Sequence, residues 1–225
     1  MNLTSAESLR FDIRGLRMTN TGSALREWAT ANGDTLGVHF VDGPPDIAAD
    51  LADLTAVRRH YRERARADGF GLLEAETLRV AGCAAIRVVY KLPQQPSGLS
   101  YLASLVLPFR QFGFVVKVHC IERGTTGLRE SVILNHALAS GEVTQSAHGE
   151  MLGWARDPYG DTTRHALLWN LSDARTHDAR FPDHALSRAR SLLARIEGSL
   201  RIDDSVRKAP AFVYGGGKKS WWKLW

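Results

Sequence analysis

Cysteine is scarce: Cys83 and Cys120 are the only two in 225 residues. Two thiols make neither a disulfide framework nor a zinc site, and both sit in apolar runs that suit buried side chains. No apolar run approaches the roughly 18 residues of a membrane-spanning helix. The N-terminus has no basic stretch followed by an apolar core, so no secretory signal is read there. Cytoplasmic residence is the expectation. The sequence also lacks a Gly-x-Ser-x-Gly elbow, a His-Glu-x-x-His helix and a dinucleotide fingerprint. No cofactor, bound metal or catalytic residue is therefore expected. Basic residues exceed acidic ones by only 29 to 24. The arginines are scattered beside acids, as in Arg62-Glu63-Arg64, and no basic stripe interleaves with aromatics. Nucleic acid is not an expected partner.

What is present is globular composition, 44% hydrophobic and 24% charged, which allows a core. The length favours one domain with additions. Residues 1–208 are expected to form a single α/β body with an irregular insertion at about 142–182. Residues 209–225 are expected to be a linker and tail.

Alternation of Leu9, Phe11, Ile13 and Leu16 suggests an edge strand, and Thr35 to Val41 another strand, stopped by Gly43-Pro44-Pro45. Leu51, Leu54, Val57, Tyr61 and Ala65 recur at helical spacing, which predicts a helix from Asp50 to Ala67 closed by Gly69. Strands follow at Phe70–Val80, Ala84–Leu92, Tyr101–Phe109 and Phe114–Ile121. With no helix between them they read as an antiparallel meander. A second helix is expected from Gly127 to Gly141 on Leu128, Val132, Leu134 and Leu138. A third runs from Pro182 to Leu200 on Leu186, Ala189, Leu193, Ile196 and Leu200, with Arg188, Arg190 and Arg195 facing outward.

This order predicts an α+β sandwich, a central antiparallel sheet with helices on both faces. In element order, and in the closing Ile196-Glu197-Gly198-Ser199-Leu200-Arg201-Ile202, it resembles the PsbP-like fold over residues 35–141 and 183–202. That fold is shared by a photosystem extrinsic protein, a Ran-binding import factor and type VI secretion chaperones. The resemblance implies a binding or chaperone-like role rather than catalysis, though a fold alone assigns no function.

Two segments could carry chemistry. Arg123, Gly124, Thr125, Thr126 and Gly127, after Glu122, lie between a strand and a helix and could hold an anion. The alternative there is a turn whose threonines cap the helix. His177-Asp178 and Asp183-His184 could bind a divalent metal or shuttle protons, though no third or fourth ligand is evident in the sequence, or Asp183 could simply be a helix cap. His119 and Cys120 are neighbours on one strand and point to opposite faces, so they form no nucleophile–base pair.

The end of the chain is the strongest signal. Gly215-Gly216-Gly217 precedes Lys218, Lys219, Ser220, Trp221, Trp222, Lys223, Leu224 and Trp225, which hold three of the six tryptophans. Eight residues hold no helix alone in water. The segment must pack on its own body, on a partner protein or on an anionic membrane surface. The function expected is a non-catalytic adaptor or chaperone-like binder that meets another protein through the tail or the sheet face. The alternative is a small enzyme using the 122–127 loop with His177 and His184 on an anionic substrate.

Overall fold

The computed structural model describes residues 4–160 and 167–215. Seven strands make the main sheet: β1 Leu16–Thr21, β2 Leu25–Thr30, β3 Thr35–Asp42, β4 Gly71–Val80, β5 Cys83–Pro93, β6 Leu99–Pro108 and β7 Phe112–Ile121. Their order is β1-β2-β3-β7-β6-β5-β4, and every neighbouring pair is antiparallel. Among the described residues four helices accompany it: α1 Leu54–Ala67, α2 Leu128–Ser140, α3 Ala185–Ser199 and α4 Asp204–Arg207. Among the described residues no helix is long and apolar enough to cross a membrane.

Successive strand residues point to opposite faces, and here each face has its own core. On one face Val57, Tyr61 and Ala65 of α1 pack over Leu72, Ala75, Ile86, Val88 and Leu102. On the other, Leu186, Ala189, Leu193 and Ile196 of α3 meet Val89, Leu105, Phe114, Val116 and Cys120. The expected α3 stripe is buried throughout. Helices on both faces of an antiparallel sheet are what the element order implied.

α2 departs from the expectation. Its buried residues are Arg129, Ile133 and Ala137, whereas Leu128 is 54% exposed. It packs mainly on the turn at Leu171–Asp173 rather than on the sheet. The apolar spacing misassigned the face because an arginine, not a leucine, leads the stripe. Arg190 is also inside rather than outward: it pairs with Glu74 and Asp178. The first strand was misplaced as well. Leu9–Arg10 pairs with Arg201–Ile202, and the sheet edge begins only at Leu16, in the polar hairpin β1–β2.

A bulge in β4 explains how Glu74 reaches α3. The register with β5 shifts between Leu72 and Glu74, so that Leu72 faces Tyr90 while Glu74 faces Val89. Strict alternation would put Leu72 and Glu74 on one face. The extra residue turns Glu74 to the α3 side.

The described part of 142–182 is two short hairpins, Thr144–Gln145 with Met151–Leu152 and Ala155–Arg156 with Trp169–Asn170, then two 3-10 turns. It wraps the β4 edge. Arg62 of α1 bonds Asp157 at 3.0 Å, the Ala75 amide donates to the Tyr159 hydroxyl, and Asp173 reaches Lys91 in β5. After α4 the chain stays against the body: Arg110 donates to the Pro210 carbonyl, Ala211 bridges Phe109, and Phe212 packs on the α1-side core. The tail residues Lys218, Lys219, Trp221, Trp222, Lys223, Leu224 and Trp225 lie outside the described residues.

Candidate functional site

The two segments singled out from the sequence meet in one cleft of about 360 Å³ at the end of β7 and the starts of α2 and α3. Glu122, Arg123, Thr125 and Arg129 line one side; Arg180, Phe181, Asp183, His184 and Arg188 line the other. His177 is not among the lining residues.

Glu122 is the pivot. It is buried where β7 ends, its Oε2 accepts the Leu99 amide at 2.8 Å, and its backbone amide donates to the Gln94 side chain. Gly98 makes the approach feasible: its φ is +89°, and a Cβ there would lie 2.7 Å from both Glu122 Oε2 and Thr126 Cγ2. Burial pushes the Glu122 carboxyl up, but His184 and the amides of Leu99 and Gly127 outweigh it and hold the carboxyl below its ordinary value.

His184, not Asp183, caps α3. Its Nδ1 accepts the Leu186 amide at 3.2 Å, which places the ring proton on Nε2, 3.0 Å from Glu122 Oε1. The correction has a simple cause: the imidazole one residue later serves as the acceptor that a carboxylate usually provides. Both ring nitrogens are thereby committed. Glu122, Glu130 and His184 gather closely enough to surround a cation. A metal on Nε2 would have to displace the proton that binds Glu122 and reverse the tautomer that caps α3. The geometry is that of a hydrogen-bonded strut joining strand end to helix start.

Gly127 stands at the start of α2, as expected, in the left-handed region at φ +73°. The threonine cap is not formed, because no side chain caps this helix. A left-handed glycine turns the preceding threonines away from the first-turn amides, and Thr126 packs over Gly98 instead. The positive end of the helix dipole already faces Glu122 and Glu130, the latter in the first turn. An anion at this place would therefore be met by side chains rather than by the helix end.

Four guanidinium groups line the cleft, and two of them are spent on structure. Arg129 is fully buried and donates to Ser172 O, Ala174 O, Ser187 Oγ and Asp178. Arg188 grips Asp34 with two bonds, at 2.8 and 2.9 Å, and reaches Ile121 O. Arg123 and Arg180 are exposed and make no ion pair among the described residues. The sequence missed Arg129 and Arg188 as parts of this site, since nothing in their spacing shows that carboxylates from distant segments meet them.

No protein-family model matches the chain, and no curated protein was found that matches it. Solved structures with partial likeness include a Bacteroides thetaiotaomicron protein at 7% identity and TM-score 0.33, covering 53% of this chain and 39% of that one. The chain thus spans well under half of that protein's length. A Pseudomonas aeruginosa protein of unknown function matches at 14% identity and TM-score 0.33, covering 57% and 92%. The chain is also similar to cyanobacterial PsbP from Synechocystis, at 15% identity and TM-score 0.35, over 62% of its own length and 92% of PsbP.

Proposed function

We propose that the protein is a non-catalytic binding protein, of adaptor or chaperone-like kind, that receives an acidic segment of a partner protein in the 122–127/180–188 cleft. One observation carries the reading: Arg123 and Arg180 stand exposed at the cleft while Arg129 and Arg188 are held by Asp178 and Asp34. Guanidinium groups free of internal carboxylates suit carboxylates or phosphates from outside. That both nitrogens of His184 are already bonded favours binding over proton transfer by that ring.

The test is a fluorescence-anisotropy titration of the full chain with an eight-residue Asp/Glu peptide, beside a Ser/Gly control. Binding of the acidic peptide should weaken as salt rises, because the Debye length shrinks from about 10 Å at 0.1 M to about 3 Å at 1 M. Arg123→Ser with Arg180→Ser should weaken it about tenfold or more, an order set by charge-assisted bonds, with no change in melting temperature. Equal binding by this double variant would overturn the proposal, and so would equal binding of the control peptide.

A further inference from the structure

The α1 side of the sheet is only partly roofed. α1 packs chiefly on β4, and its core reaches across β5 and β6 to Val115 of β7, while among the described residues no helix belongs to the core on the same face of β2 and β3. The residues pointing there, Glu27, Gly37, His39, Lys117 and His119, are buried or half-buried. They border a groove of about 280 Å³ whose far wall is Phe70, Leu92 and Leu102.

We infer that this groove is the docking site of the chain's own C-terminal aromatic segment, with an indole of Trp221, Trp222 or Trp225 seated between His39, His119 and Leu102. The chain leaves the body on this face. Phe212 already packs against the α1-side core, and Ala211 is bridged to Phe109 at the end of β6. From Ala211 to Trp221 the backbone can span about 33 Å. The groove begins about 20 Å from the bridge, the length of β6 between Pro108 and Leu102. The chemistry agrees. Gly37 has no side chain, and the His39 ring lies over it as part of the floor: a Cβ there would lie 3.2 Å from Nε2. Burial lowers both histidines, His39 to about 4, so at neutral pH they present uncharged flat rings. Glu27 at the rim is the acid available to Lys218, Lys219 and Lys223. An aromatic side chain covers about 150–250 Å² of apolar surface when buried, which suits a groove of this size.

The tail carries its own reporters, the three lysines at which trypsin cuts. The full-length chain is digested under native conditions, and cleavage after Lys218, Lys219 and Lys223 is followed by mass spectrometry. Thr35→Arg and Gly37→Leu each obstruct the groove and leave the tail sequence intact; both are first checked for an unchanged circular dichroism spectrum. Wild type should be cut about tenfold more slowly than either variant, since cleavage follows the population of the undocked tail. Its rate should not depend on protein concentration. Cleavage equal within about twofold in all three chains would overturn the inference. Protection that grows with protein concentration would give the groove to a second copy. Protection seen only with anionic vesicles would give the tail to a membrane surface. Either result would overturn docking within one chain.

Discussion

Lys91 Nζ lies 2.7 Å from Asp173 Oδ2, with only 3% and 1% of the two side chains exposed. The pair joins β5 to the irregular segment that wraps the sheet edge. A buried pair adds little beyond a well-packed apolar one, but losing one member strands the other charge. Lys91→Met alone should therefore cost about 3–5 kcal/mol in a urea melt. Adding Asp173→Leu should recover most of that loss. If the single change proves silent, the pair does not anchor the segment.

Arg129 fills the corresponding role on α2. Its planar fork meets two carbonyls, a hydroxyl and a carboxylate at once. Lysine keeps the charge and loses the fork. Arg129→Lys should destabilise by about 1–3 kcal/mol, the scale of an unmet buried donor or acceptor. A melt identical to wild type would show that charge alone suffices there.

Two leucines separate the real core from the expected one. Leu193→Ala on α3, at 1% exposure, should cost about 2–5 kcal/mol. Leu128→Ala, at the exposed start of α2, should stay within about 0.5 kcal/mol. Comparable losses at the two positions would mean that α2 packs through the face its leucines mark.

Acid should weaken the fold through histidine. Burial lowers His60 and His39 from 6.5 to about 4. Between those values the unfolded chain takes up protons that the folded one refuses, so stability falls as pH drops from 6.5 toward 4. Arg64 lowers His60 further while Asp46 opposes it; Lys117 adds to the effect at His39. His60→Gln should flatten the melting temperature across this window. An unchanged slope would place that titration elsewhere.

The helices α1 and α3 and the four meander strands were legible because apolar residues there repeat at 3.6 or 2, and burial follows the repeat. Leu186, Ala189, Leu193 and Ile196 needed no partner to be recognised. The β1–β2 hairpin was not legible: Leu-Arg-Met-Thr-Asn-Thr lies at an open edge, where little apolar area marks a strand. α2 misled for the opposite reason, since its buried face is led by Arg129, whose partners come from Ser172, Ala174, Asp178 and Ser187. The candidate cleft was half visible. Glu122 to Gly127 and His184 stand out separately in the sequence, but their meeting depends on β7 and α3 being adjacent, which local spacing does not encode. Arg188, assigned to a solvated face, proved to hold Asp34 across the cleft wall.

The bulge at Leu72–Glu74 makes parity a coded property of β4. Hydrophobicity along the strand is nearly indifferent to it, because residues on either face of this sheet meet a core. The ions are not indifferent. The bulge absorbs one residue before Glu74, so deleting Leu73 would leave Glu74 opposite Val89. Between Glu74 and Val80 the ladder is regular, and removing one residue there would bring Glu74 opposite Val88, with its carboxylate toward α1 and Arg190 left inside with Asp178 as its only carboxylate. An even or odd count of residues between Glu74 and the turn, rather than any particular side chain, thus decides whether the charges on α3 find their counterparts. Insertions or deletions between Glu74 and the turn should be tolerated in pairs and rejected singly.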